Sequence, residues 1–163
     1  MALNNPRPGG PSHVGEYQLS GIPYARQGTI TNLCGGAVAV NIDPRDGQTT
    51  NANMRVFEFP RVTRWIYIKN TEANAGNTVR IHFSEKSAAA DGAANIGGQV
   101  VNTAHKAIVL AGGSDTVVRL PLRLTKIYFP DGDNGRTIQI IAGLTSVEKE
   151  SFAGHIENFT DKN

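Results

Sequence analysis

One cysteine, Cys34, in 163 residues leaves no internal disulfide framework. Folding in a reducing compartment is expected. Cys34 sits in Leu33-Cys34-Gly35-Gly36-Ala37 with no nucleophile motif around it, so a buried structural thiol is the expectation. Charged residues make up only 18% of the chain, and the net charge of +2 is nearly balanced. Ten Arg and six Lys are scattered without a basic run, which argues against an electrostatic nucleic-acid footprint. No apolar run approaches the roughly 20 residues a membrane helix needs. The start, Met1-Ala2-Leu3-Asn4-Asn5-Pro6, lacks the apolar core of a signal peptide. No partnership with nucleic acid or membrane is therefore expected.

What the chain does contain is period-two alternation. In Arg61-Val62-Thr63-Arg64-Trp65-Ile66-Tyr67-Ile68-Lys69, the residues Val62, Arg64, Ile66 and Ile68 would share one face. Thr63, Trp65, Tyr67 and Lys69 would share the other. Similar runs lie at 54–59, 78–84, 107–110, 116–120, 122–129 and 137–142. Two more, 28–33 and 37–42, flank Cys34-Gly35-Gly36 and suggest a hairpin. Clusters of Gly, Pro, Asn and Asp separate the runs, as at Glu72–Asn77, Gly112–Asp115 and Asp131–Gly135. Pro121 points to an edge or a bend for the run it ends. Residues 85–99, rich in Ala, Gly and Ser, read as the longest internal loop.

About nine short strands with no βαβ rhythm predict an all-β fold, an antiparallel β-sandwich of jelly-roll-like character. The expected organisation is an extended N-terminal arm over 1–16, a sandwich domain over 17–146 and a C-terminal tail over 147–163. The arm is rich in Pro and Gly and cannot bury enough apolar surface to fold alone. In the tail, Thr145 followed by Glu148 suggests a capping box and a short helix over Ser146–Phe152.

A search for chemistry finds no reactive constellation. His13, His82, His105 and His155 are widely separated and lack metal-ligand spacing. His82 falls opposite Ile81 and Phe83 and is expected at the surface. Asp131-Gly132-Asp133-Asn134-Gly135 opens like a calcium loop, but position twelve of that loop is Ala142 instead of Glu. No serine elbow or phosphate-binding glycine motif is present. Glu58 and Glu85 are the carboxylates most open to a paired acid–base reading, and nothing in one sequence brings them together. No enzyme activity and no cofactor are expected. Trp65 and Tyr67, on one strand face, suit the core, a subunit contact or a sugar platform.

The blocks at 59–70, Val79-Arg80-Ile81-His82-Phe83-Ser84, 120–129 and 138–145 resemble the small head proteins of tailed bacteriophages. These are decoration, or cement, proteins of β-sandwich type. The resemblance spans roughly residues 55–146. It implies a virion subunit on the capsid exterior, assembled in the host cytoplasm. Its partners would be the major capsid protein and itself, as a homotrimer, and it would bring no catalytic residues. Alternatives are another virion part (tail, collar or fibre base) and a carbohydrate-binding module. On the decoration reading, Asn4, Pro6, Arg7 and Pro8 would lie on a neighbour. Tyr17, Tyr24, Arg26, Trp65 and Tyr67 would anchor the interface, since aromatics and Arg dominate binding hot spots.

Overall fold

Alternating β-branched residues make the two central strands, and their pairing organises the molecule. A computed structural model of the chain describes residues 22–41, 51–92, 107–113 and 117–149. The arm, with Asn4, Pro6, Arg7 and Pro8, lies outside the described residues, as do Tyr17, His13, His105, His155 and the tail beyond 149. The strands are β1 (Ile22–Thr29), β2 (Val38–Asn41), β3 (Asn51–Glu58), β4 (Arg61–Asn70), β5 (Val79–Ile81), β6 (Ile108–Leu110), β7 (Val117–Leu120), β8 (Lys126–Pro130) and β9 (Thr137–Glu148). Two helices, α1 (Ile30–Cys34) and α2 (Glu85–Gly92), and a single 3-10 turn at Asp131–Asp133 complete the described elements. The fold is all-β, and every paired strand is antiparallel.

One sheet has the order β1-β9-β4-β7 and the other β2-β3-β8. The β5–β6 pair joins the second sheet through His82, whose backbone exchanges hydrogen bonds of 2.9 and 3.0 Å with Tyr128. The core fills the space between. Ile66, Ile68, Ile138, Ile140, Ala142 and Leu144 come from the four-stranded sheet. Phe57, Phe59, Ile127 and Phe129 face them, with Val79, Ile81 and Leu110 at the β5–β6 end. Phe57 and Phe59 meet edge-to-face at 5.0 Å. Burying each such side chain contributes about 1.5–3 kcal/mol.

Several local readings of the sequence are overturned. The run 28–33 is not a strand throughout. Thr29 caps α1 by accepting from the Asn32 N–H at 3.3 Å, and Gly35 ends it at φ +74°, a conformation that favours glycine. Hence β1 pairs with β9 and β2 with β3, and there is no hairpin at Cys34–Gly36. The start of the expected 85–99 loop is helical, because Ala88 and Ala89 are good helix formers small enough to bury fully against Met54. Over 146–148 the helix expected for Ser146–Phe152 gives way to β9, which runs on through Glu148; Lys149 is helical, and 150–152 lie outside the described residues. There the Thr145 hydroxyl donates to Val62 O and accepts from the Val147 N–H, so it does not cap a helix.

Arg64 departs from the alternation. Thr63 pairs with Leu144 and Trp65 with Gly143, so β4 carries an extra residue there. This bulge turns Arg64 out to solvent and buries Thr63. The Thr63 hydroxyl meets Leu122 O at 2.8 Å and Leu124 O at 3.0 Å, and accepts from the Leu124 N–H at 3.1 Å. Finally, β5 ends at Ile81, which leaves Phe83 42% exposed instead of in the core row.

Candidate functional site: the outer face of the four-stranded sheet

The two sheets differ in what lies on their outer faces. On the second sheet, Ala52, Met54, Val56 and Tyr128 point outward and α2 covers them, with Ala88 and Ala89 fully buried. On the first sheet, α1 packs beside β1 and β3, while the outward residues of β4, β7 and β9 form a half-buried, largely apolar surface. Register fixes its layout. Tyr67 lies between Ile141 and Arg119, and Lys69 between Gln139 and Val117. Trp65 lies beside Gly143. Trp65, Tyr67, Lys69, Val117, Gln139 and Ile141 line an open groove of about 420 Å³. Val117 on the edge strand is 47% exposed.

The Trp65 and Tyr67 rings meet edge-to-face, centroids 5.2 Å apart and planes at 77°. The Arg119 guanidinium stacks over Tyr67 at 5.6 Å from the ring centroid. Of the described residues that line or flank this groove, Lys69 and Arg119 are the cations and none is a carboxylate. The structure therefore brings together Trp65 and Tyr67 and adds Arg119, which sequence reasoning missed. Its signal was available: Arg119 sits two residues from Val117 on a strand that Pro121 marks as an edge.

Tyr24 and Arg26 are placed elsewhere. Tyr24 pairs with Ala142, on the core side of the sheet, and its ring packs edge-to-face on Phe57 at 6.3 Å and Phe59 at 6.1 Å. Arg26 covers that ring at 5.7 Å and donates from Nε to the Tyr24 hydroxyl at 3.4 Å. The pair closes the edge of the core and does not join Trp65 and Tyr67.

A second cluster sits under α2. His82 does lie opposite Ile81, yet it is 0% exposed, because that side of the strand is where α2 packs. Its Nδ1 lies 2.8 Å from Ser87 Oγ and its Nε2 2.9 Å from Asp91 Oδ2. Ser87 and Asp91, one helical turn apart, share the inner face of α2. Asp91 Oδ1 accepts from Arg80 Nη1 at 3.0 Å, and Arg80 also binds Asp133 through Nη2 at 2.8 Å, Nε at 3.2 Å and its backbone N–H at 2.9 Å. The Ser–His–Asp connectivity is that of a nucleophilic triad. A triad base must also reach a substrate's leaving group, and a ring with no exposed surface leaves no room for one. The arrangement pins α2 to β5 and to the 3-10 turn. A spacing of five and nine residues from His82 would have disclosed it had 85–92 been read as helix.

Burial holds the His82 imidazole below its ordinary value near 6.5, outweighing the opposing pull of Asp91. The folded state thus binds this proton less readily than the unfolded chain. Its contribution to stability is complete above about pH 6.5 and is lost as pH falls below that value. Melting temperatures taken from pH 7.5 down to 5.5 should fall more steeply for the natural protein than for His82→Gln, even if the variant melts lower throughout. Parallel curves would contradict the assignment.

Cys34, the half-buried last residue of α1, has its thiol pushed up to about 12 by burial, so it is a poor nucleophile. Glu58, exposed between Lys149 at 3.2 Å and Lys126 at 3.3 Å, is held below the usual carboxylate range chiefly by its hydrogen bond from Lys149. Glu85 instead reaches the Tyr128 hydroxyl at 3.5 Å. Among the described residues no group of His, Cys, Asp and Glu could hold a metal ion, and no helix is long and apolar enough to cross a membrane. No protein-family model, curated protein or solved structure matches the chain.

Proposed function

We propose that this chain is a structural subunit of a virion, a decoration protein on the exterior of a tailed-phage capsid, and that it performs no catalysis. The observation that carries the proposal is the contrast between the outer faces. One is sealed by α2, and the other presents Trp65, Tyr67, Val117 and Ile141 at the surface. Aromatic residues and Arg clustered on one exposed face are what a protein-binding hot spot uses. The resemblance of 59–70, 79–84, 120–129 and 138–145 to cement proteins supplies the kind of assembly. On this reading the outer face docks on major capsid subunits, and a homotrimer joins several of them. Each contact then raises the effective concentration of the next, so modest affinities sum to a firm clamp.

The paired aromatics also favour a second reading, a sugar-binding face. Its weakness is geometric. Rings at 77° cannot both lie flat against one glycan, and Arg119 occupies a face of Tyr67 that a sugar would need.

Rebinding of the purified protein to particles stripped of it tests the assignment of the face. Trp65→Ala and Tyr67→Ala should each weaken rebinding roughly 30-fold, equivalent to about 2 kcal/mol at a hot spot. Melting temperature should change little, because both rings lie outside the sandwich core. Undiminished rebinding by both variants would remove this face from the interface.

A further inference from the structure

We infer that the outer face of the four-stranded sheet receives an acidic protein surface, in which a carboxylate next to an apolar side chain meets Arg119. The inference rests on the proposal that this face is the docking surface, and it specifies the partner's chemistry. Three observations carry it.

First, Arg119 is exposed on an edge strand, stacks on Tyr67, and makes no ion pair with a described residue. That contact places the guanidinium over the ring, and no described residue receives its N–H donors. A fixed, planar donor fork matches a carboxylate in two parallel hydrogen bonds. Second, the groove beside it is lined by Trp65, Tyr67, Val117 and Ile141, and its volume of about 420 Å³ accommodates an apolar side chain. Third, the charge is one-sided. The described residues that line or flank the groove include Arg119 and no carboxylate, so two copies meeting through this same groove would bring their Arg119 guanidinium groups together. That disfavours a second copy as the occupant and favours a partner of opposite sign.

Short random peptides displayed and selected on the purified chain provide the probe. Selected sequences should pair Asp or Glu with Leu, Ile, Phe or Trp. Synthetic versions should lose at least about tenfold in affinity on Arg119→Glu, through loss of charge-assisted hydrogen bonds, and also on Trp65→Ala. Peptides with Lys in place of the acid should bind Arg119→Glu better than they bind the natural protein. Arg119→Gln, which removes the charge without reversing it, reports the same loss should the Glu variant fold poorly. Four outcomes would overturn the inference: selected peptides without acids, acidic peptides indifferent to Arg119, glycan binding abolished by Trp65→Ala, or self-association abolished by that same change. Rebinding to stripped particles separates the two levels of the argument. Loss with Trp65→Ala but none with Arg119→Glu would leave the decoration reading intact and remove the acidic partner.

Discussion

Gly112→Ala should destabilise the protein by about 3 kcal/mol, at the upper end of what overpacking costs. A Cβ at Gly112 would fall inside the van der Waals shell of the Asn74 carbonyl oxygen and 3.0 Å from Asn77 O. Both obstacles are backbone atoms, so no side chain can rotate away. The 72–77 turn cannot easily retreat either. Buried Asn70 donates to Asn77 O at 2.7 Å and to Leu110 O at 3.0 Å, and accepts from the Glu72 N–H at 3.0 Å. Glu72 in turn accepts from Thr137 N at 2.6 Å, and its O accepts from Gly113 N at 2.6 Å. These bonds fasten β4, β5, β6 and β9 together at one pole of the fold. At this chain length the loss corresponds to a melting point lower by roughly 6–12 °C. Gly135→Ala, with no atom within 4 Å of the added carbon, is the control and should stay within about 0.5 kcal/mol of neutral. Equal melting points for the two variants would show that the turns are not docked as described.

Asp133→Ala should be about as damaging. Asp133 is 4% exposed and accepts three bonds from Arg80. Removing one member of a buried ion pair costs about 3–5 kcal/mol. Arg80 keeps 29% of its side chain exposed, so water offsets part of the loss and about 2–4 kcal/mol is expected. The effect should extend beyond the pair, because Arg80 also holds Asp91 of α2. Hydrogen exchange should therefore quicken in α2 of the variant as well as around the 3-10 turn. Unfolding free energies from urea titration, compared with Asp91→Ala and the double variant, would measure the coupling. Additive single effects would mean that the bonds act separately instead of as one network.

Much of the fold was legible in the sequence where side chains alternate strongly. The Ile66–Ile68 and Ile138–Ile140 pairs announced both central strands and the all-β class. What stayed hidden depended on tertiary contacts. The 28–33 run has a strand-like composition, yet the Thr29 cap, Gly35 and the docking of Ile30 and Thr31 N–H groups on Arg136 O and Asn134 O favour one helical turn. The alanines of α2 carry no apolar period, since their value lies in smallness against Met54. The alternation that put His82 opposite Ile81 was sound, but only the helix decides that the opposite side is interior. At the candidate site, Trp65 and Tyr67 were visible as a pair on one face. Which face was open, and that Arg119 joins them while Tyr24 does not, follows from the register of β7, β4, β9 and β1, which no local pattern encodes.

Heat-induced release of DNA from phage particles tests the central claim most directly. Particles as assembled, particles stripped of this protein and stripped particles with the purified protein added back would be compared. A ligand that binds only the intact shell stabilises it by about 2.7 kcal/mol per site at a hundredfold excess over the dissociation constant. The account predicts release at a lower temperature after stripping, recovery on adding the natural protein, and failure of Trp65→Ala to restore it at the same concentration. If stripped and decorated particles release DNA at the same temperature, the protein is not a capsid cement.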